Sequence, residues 1–366
     1  MYIYELPDWP NFTWNDEKLY TLLGHLRHQQ GRLIGRMEAL GFRFREQAVL
    51  QTLTQDVLKS SEIEGKILEI EQVRSSIARR LGMDIGGLVA SNRDVEGVVE
   101  MMLDATQHYK QPLTKERLFS WHAALFPMGR SGLLKIKVGE WRDDSYGPMQ
   151  IVSGPYGHER IHYQAPAASK IDYEMISFLE WLNQETIIDP VLKAGIAHLW
   201  FVTIHPFDDG NGRIARAIGD MVLAQSEQSS QRFYSLSSQI RLERNDYYTM
   251  LESTQKGSLD ITPWMWWFLN CLARAIQGAE NTLHSVLHKA RFWEKLSDFS
   301  LNERQRKVLN LMLDGFEGKL TTSKWAKLVK CSQDTAYRDI LSLVSQGILT
   351  INAEGGRSTS YSIIDF

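Results

Sequence analysis

The residues best suited to chemistry are concentrated in one run: His205-Pro206-Phe207-Asp208-Asp209-Gly210-Asn211-Gly212-Arg213-Ile214-Ala215-Arg216. Two glycines flank Asn211, so the backbone can turn tightly and approach an anion closely. The N–H groups of such a loop, together with the N-terminus of the helix that follows, form an anion site. Arg213 and Arg216 stand one turn apart on that helix and can reach one polyphosphate. Asp209 offers a hard carboxylate oxygen that suits Mg2+ held between phosphates. His205, just before the loop, is placed to take a proton from an attacking hydroxyl. An isolated Asp-Gly-Asn-Gly is equally well a plain connection between two helices. The ordered set of His, Asp, Asn and two Arg favours phosphate chemistry.

These residues need a scaffold, and the surrounding pattern is mostly helical. Asn15 can cap a helix carrying Leu19, Leu22, Leu23 and Leu26. Further helices are predicted over 44–63, with Gly65 at a C′ position of positive φ, and over 69–81, 93–109 and 114–126. Asp189-Pro190 forms an N-cap and N1 pair for a helix over 191–203, apolar on nearly all sides and so expected at the centre. Helices over 214–223 and 264–295 follow. The stretch 135–166 differs: it is rich in Gly and Pro and holds β-prone pieces at 149–152 and 160–163, a predicted hairpin. The N-terminal 1–13 reads as an extended arm that docks Trp9, Phe12 and Trp14. From about residue 301 the order is helix, helix-turn-helix with Thr322-Ser323 as cap, then strand, turn and strand. That order describes a winged helix.

The run 205–216 resembles the signature of the Fic family, His-Pro-Phe-x-(Asp/Glu)-Gly-Asn-Gly-Arg-x-x-Arg, without mismatch. The resemblance covers roughly 40 to 275. It implies a mainly α fold: a Fic helical core with a β-hairpin flap, here followed by a C-terminal winged helix-turn-helix domain. The expected divisions are 1–90 (helical, inhibitory), 91–292 (Fic) and 293–366 (winged helix). The implied activity is transfer of AMP from ATP to a Ser, Thr or Tyr hydroxyl of a target protein, with ATP as substrate and Mg2+ as cofactor. His205 would be the general base and Asp209 the Mg2+ ligand. Gly210, Asn211 and Gly212 would cradle the α- and β-phosphates, Arg213 and Arg216 would bind the β- and γ-phosphates, and Ile214 and Ala215 complete the nucleotide-binding run. Ile151, Val152, Ser153 and Gly154 would form a flap facing the nucleotide and holding the target segment as an added strand. Tyr247 and Tyr248 would line the adenine pocket. Gln255 stands where some relatives place Asn. Ser60-Ser61-Glu62-Ile63-Glu64-Gly65 resembles the inhibitory (Ser/Thr)-x-x-x-Glu-(Gly/Asn) motif. Glu64, supported by Ser60 and Gly65, would pair with Arg216 and compete with the γ-phosphate. The same site run in reverse, as an AMP-removing enzyme, and a DNA-binding regulator that senses nucleotide are the alternatives. Self-modification and a homodimer are also expected.

Bulk properties narrow the classes. The chain has 366 residues, 43% hydrophobic, with formal charge −3, so charge alone argues for neither nucleic acid nor an anionic membrane. Cys271 and Cys331 match no metal spacing and are expected to be buried thiols. The N-terminus lacks a basic region followed by an apolar stretch, and a cytoplasmic protein is expected. His158-Glu159-Arg160-Ile161-His162 is a formal HExxH, but a hairpin does not bring residues four apart onto one face as a helix does. Residues 301–366 hold nine Lys/Arg against seven Asp/Glu, mild for DNA binding. The candidate reading residues there are Gln333, Thr335, Tyr337 and Arg338, with Arg357 at the wing, and Asp334 and Asp339 count against tight phosphate contact.

Overall fold

The computed structural model describes residues 1–39, 42–83, 88–145, 147–155, 157–296, 299–313, 318–352 and 359–364, with the backbone alone at 42–43, 281–282, 284–287 and 289–290. Arg357, expected at the wing, lies outside the described residues. The chain divides into two compact units, Met1–Ala279 and Glu280–Phe366.

The first unit is mostly helical: α1 (Asp16–Glu38), α2 (Phe42–Ile63), α3 (Ile70–Arg80), α4 (Arg93–Gln107) and α5 (Lys115–Leu125) come first. Two antiparallel pairs follow, β1 (Arg130–Ser131) with β2 (Leu134–Lys135) and β3 (Gln150–Ser153) with β4 (Arg160–Gln164). Then come α6 (Ile171–Asn183), α7 (Pro190–Ile204), α8 (Asn211–Glu227), α9 (Leu236–Leu242), α10 (Arg244–Gln255) and α11 (Thr262–Lys295), within which the division falls. The expected hairpin is β3–β4. The β1–β2 pair, α6, α9 and α10 were not anticipated: the strands have two residues each, and α9 seven, too short for a periodic signal.

The central helix is α7. Asp189 accepts a bond from the Val191 N–H at 2.8 Å, Pro190 opens the helix, and Val191 to Ile204 are all buried. Arg27 of α1 grips the same Asp189 through two nitrogens, at 2.8 and 3.3 Å. The N-terminal arm docks through two of the three aromatics and is coiled by a 3-10 turn at Ile3–Glu5 rather than extended. Trp9 and Phe12 meet the Trp200 ring edgewise, Trp9 Nε1 donates to Glu174 at 2.8 Å, and Trp14 donates to its neighbour Asp16. Helix α7 packs along α8, and α2 lies against α3, α4, α8 and α9. Cys271 is buried, whereas Cys331 is half-buried, and of the tryptophans at 264, 266 and 267 only Trp266 is exposed.

The second unit holds α12 (Glu303–Leu313), α13 (Thr322–Val329), α14 (Gln333–Ser345) and an antiparallel pair, β5 (Leu349–Ile351) with β6 (Tyr361–Ile363). Trp325, Leu309, Ile340 and Leu343 are at its core. The cap of α13 is Thr321, which accepts from the Lys324 N–H, rather than Thr322-Ser323. Asp339 faces inward, bound by Arg304 and Asn302, so it does not oppose a phosphate at the surface.

One close contact fixes the distance between the helices that support the site. A Cβ on Gly97 of α4 would stand 1.7 Å from the Ala124 carbonyl oxygen on α5, so the two backbones touch. Gly97→Ala must push α5 away, and overpacking of this kind costs about 1–3 kcal/mol. A lowered thermal midpoint is the expected result; an unchanged one would show that α5 moves freely.

Candidate active site

The loop before α8 begins where α7 ends. His205 caps α7 in the left-handed region (φ 53°, ψ 57°), and its N–H closes on Phe201 O at 3.0 Å. A non-glycine residue seldom adopts this conformation, and such strain is held only when the surroundings impose it. Here Arg142, a buried residue that the sequence does not flag, imposes it. Its Nε donates to His205 O at 2.8 Å, its Nη2 to Pro166 O at 2.6 Å, and its backbone N–H to Pro206 O at 3.0 Å.

The imidazole is oriented as well. His205 Nδ1 lies 3.2 Å from Val202 O, which can only accept, so Nδ1 carries the proton and Nε2 the lone pair of the neutral ring. Burial pushes its pKa down to about 4, an effect that the bond to Val202 opposes only in part.

Asn211 closes the loop on itself. Its side chain donates to Phe207 O at 2.8 Å and accepts from Phe207 N at 3.0 Å. The side chain is thus committed to bracing the loop, and its backbone N–H remains for an anion. Asp209 accepts from Gly210 N at 2.5 Å and from the Ser131 hydroxyl, and its carbonyl accepts from His122 Nε2 at 3.1 Å. The Gly139 N–H donates to His122 Nδ1 at 3.2 Å, which leaves Nε2 as the protonated nitrogen. Burial holds the His122 pKa at about 4. Ser131 and His122 are thus further supports of the loop that no motif marks.

Arg213 and Arg216 are both buried. Arg213 lies over the Phe126 ring at 5.0 Å. Among the described residues its Nε and Nη2 have no hydrogen-bond partner, nor has Nη1 of Arg216. A buried guanidinium with unused donors is costly unless an anion completes it. The remaining donors of Arg216 are all spent on α2 and its end: Nε to Ser60 Oγ at 2.9 Å, and Nη2 to Ser60 O and to Glu64 Oε1, both at 2.8 Å. Burial works against the charge on Arg216, but Glu64 together with Tyr247 and Tyr248 more than offsets it and holds the guanidinium above its usual pKa.

Local sequence explains how Glu64 arrives there. Gly65 takes φ 78° and donates to Glu62 O, while Lys66 donates to Ser61 O. That pair of bonds is a Schellman stop with Glu64 as the C-cap residue. Ser60 and Glu64, four apart, then share the face toward α8. The Ile63 carbonyl beside Glu64 is held by Arg244 Nε at 2.8 Å and the Tyr248 hydroxyl at 3.4 Å, both from α10. A Cβ on Gly212 would stand 2.1 Å from Glu64 Oε1, so only glycine admits the carboxylate there.

A cavity of about 560 Å³ opens in front of these groups. It brings together Glu64, His205, Asp209, Asn211 and Gly212 with Ile151, Val152 and Ser153 of the flap. Tyr247, Tyr248 and Gln255 line it from α10. Tyr247 is largely a core residue, its hydroxyl 2.9 Å from His198 Nε2, and Gln255 donates to Thr203 Oγ1 at 3.3 Å. Arg213 and Arg216 do not line the cavity, and Glu64 stands between it and Arg216. Gly154, Gly210, Ile214 and Ala215 also fall outside its lining. Ile214 and Ala215 are fully buried, so these two positions of the run serve packing. Among the described residues no group of three or more His, Cys, Asp or Glu could hold a metal, and none of their helices is long and apolar enough to cross a membrane.

Known proteins resemble parts of this chain. Residues 112–223 match the model of the Fic/DOC family. That segment resembles a Fic domain. Residues 2–83 match DUF4172, a domain of unknown function, which thus contains the α2 segment with Ser60 and Glu64. The Fic protein adenylyltransferase of Nematostella vectensis is 24% identical over 251 residues, covering 67% of this chain and 53% of the relative. That of Drosophila yakuba is 26% identical over 226 residues, covering 61% and 41%. The chain therefore spans about half or less of the length of these curated relatives. Among solved structures, a Fic family protein from Desulfovibrio desulfuricans aligns with a TM-score of 0.53 at 20% identity, covering 94% of this chain and 96% of the other. A Fic-domain signalling protein from Bacteroides thetaiotaomicron aligns with 0.52 at 21% identity, covering 71% and 96%. These likenesses show the fold: a mainly α Fic-like core with small hairpins.

His198, fully buried beneath the site, makes the electrostatics testable. Burial first, then Arg216, pushes its pKa down to about 3. An unfolded histidine titrates near 6.5, so as pH falls below that value the unfolded chain binds the proton first and stability is lost. The loss is at most about 1.4 kcal/mol per pH unit for each such ring. Urea unfolding of His198→Asn at pH 7 and pH 5 should therefore show a shallower pH slope than the parent. An equal slope would mean that the ring is not kept neutral.

Proposed function

We propose that this protein transfers AMP from ATP to a Ser, Thr or Tyr hydroxyl of a polypeptide and that Glu64 holds the reaction in check. The observation that carries this reading is the buried arginine pair: Arg213 and Arg216 retain unused donors, while the Arg216 Nη2 is occupied by a carboxylate. A carboxylate and a phosphate oxygen are interchangeable partners for a guanidinium. Arg213 and Arg216 bind the β- and γ-phosphates, and backbone N–H groups at the start of α8 face the same anion. His205 Nε2 takes the proton of the acceptor hydroxyl as its oxygen attacks the α-phosphorus, and pyrophosphate leaves. Asp209, a half-buried carboxylate beside Arg213, fits Mg2+, which would neutralise charge between the phosphates when bound.

The acceptor is read as a polypeptide because of the flap. Among the described residues β3 and β4 pair only with each other, so a free strand edge remains. Val152 and Ile161 lie opposite each other and both are exposed, an apolar pair able to meet side chains of an added strand. Glu64 leaves the γ-phosphate without its arginine, so ATP sits in a pose unsuited to attack.

For the second unit we propose a winged helix. Its order α12, α13, α14, then β5 paired with β6, supports this, and α14 presents Gln333, Tyr337 and Arg338 to solvent for contact with DNA or protein.

Incubation with ATP labelled at the α-phosphorus, in the presence of Mg2+, tests the main reading. Glu64→Gly should raise labelling of protein by about tenfold or more, a barrier change of only about 1.4 kcal/mol. Adding His205→Ala should lower it again by about 100-fold or more, as loss of a general base does. No rise in Glu64→Gly would sink the inhibitory role, and undiminished label without His205 would sink its role as base.

A further inference from the structure

The flap carries a second constellation that AMP transfer to another protein does not use. Ile151 faces Tyr163, but Val152 faces Ile161, so His162 is one residue too many on β4. A bulge of this kind re-aims the extra side chain. His162 Nε2 lies 2.5 Å from Ser153 Oγ, and His162 Nδ1 lies 2.7 Å from Glu252 Oε2 on α10. Glu252 also takes Lys256 Nζ at 2.7 Å and Arg160 Nη2 at 3.1 Å. Lys256 and then His162 hold its carboxyl at about 2, so it is a carboxylate and Nδ1 is the donor toward it. The lone pair of the neutral ring is then on Nε2, at the serine hydroxyl. Carboxylate to Nδ1 and Nε2 to hydroxyl is the order that generates a serine nucleophile. A plain clamp between flap and α10 would need Glu252, Arg160 and His162, but no hydroxyl at Nε2. Ser153, His162 and Glu252 all line the cavity that holds His205.

We propose that Ser153 is an activated nucleophile and accepts AMP from the nucleotide in this cavity, making the flap a site of self-modification with His162 as its own base. This inference rests on the AMP-transfer reading above. The Ser153 Oγ–phosphorus bond forms, the bond from the α-phosphorus to the bridging oxygen breaks, pyrophosphate leaves, and the serine proton passes to His162 Nε2 and on to water. Glu252 is a positioning residue that fixes the ring and stabilises its cationic form. AMP on Ser153 would stand on the strand offered to a target segment.

The test uses the full chain carrying Glu64→Gly, with two probes read by peptide mass spectrometry: ATP labelled at the α-phosphorus, and a fluorophosphonate, which captures activated serines without any nucleotide. Both should appear on Ser153, and both should fall by about 100-fold or more when Glu252→Gln or His162→Ala is added. No fluorophosphonate on Ser153, or capture undiminished in both added variants, overturns the activation. Fluorophosphonate on Ser153 with AMP only on other residues or other proteins overturns the acceptor role and leaves AMP transfer standing. AMP on nothing at all overturns the transfer reading, and the Ser153 acceptor with it.

Discussion

The site turns on the buried guanidinium of Arg216. A charge this deep in a protein is tolerable only when it is met by partners, and removing one leaves a penalty of several kcal/mol. Three of its bonds come from one short stretch, Ser60 and Glu64, and one nitrogen is left without a partner. The requirement for a partner therefore ties α2 to α8 and also makes the tie replaceable by an incoming anion. Stability and the proposed inhibition follow from the same unmet demand for negative charge.

The rest of the unit serves that contact. The Schellman stop at Gly65 turns Glu64 toward α8, Gly212 leaves room for its carboxylate, and Arg244 and Tyr248 hold the carbonyl just before it. Arg142 keeps His205 in a left-handed cap, so the imidazole stands at the cavity with Nδ1 committed to Val202. Helix α10 supports both edges of the cavity. Its N-terminal end braces the α2 terminus, and Glu252 near its other end grips the flap through Arg160 and His162.

Much of this was legible in the sequence because it is local. The Asn211 brace of the loop, the glycine after Glu64 and the Asp189-Pro190 cap each act within a few positions of themselves, and there the structure follows the spacing. What escaped was non-local or too short. Arg142 reads as an ordinary basic residue in a loop, and nothing in its neighbourhood announces that it will meet the carbonyl of His205. Ser131 and His122 reach Asp209 only through tertiary folding. Within the nucleotide-binding run, Ile214 and Ala215 are core and the Asn211 amide braces the loop. The motif at 158–162 was set aside as a metal site for its strand context, yet the bulge that gives His162 its partners Ser153 and Glu252 has no sequence signal.

The central claim is a competition between the Glu64 carboxylate and the terminal phosphates of ATP for Arg216. Calorimetric titration of ATP and of AMP into the parent and into Glu64→Gly tests it most directly, because AMP lacks the phosphates in question. The account predicts that removing Glu64 tightens ATP binding by about tenfold or more, equivalent to about 1.4 kcal/mol, and leaves AMP binding nearly unchanged. An equal change for both nucleotides, or none for ATP, would contradict it.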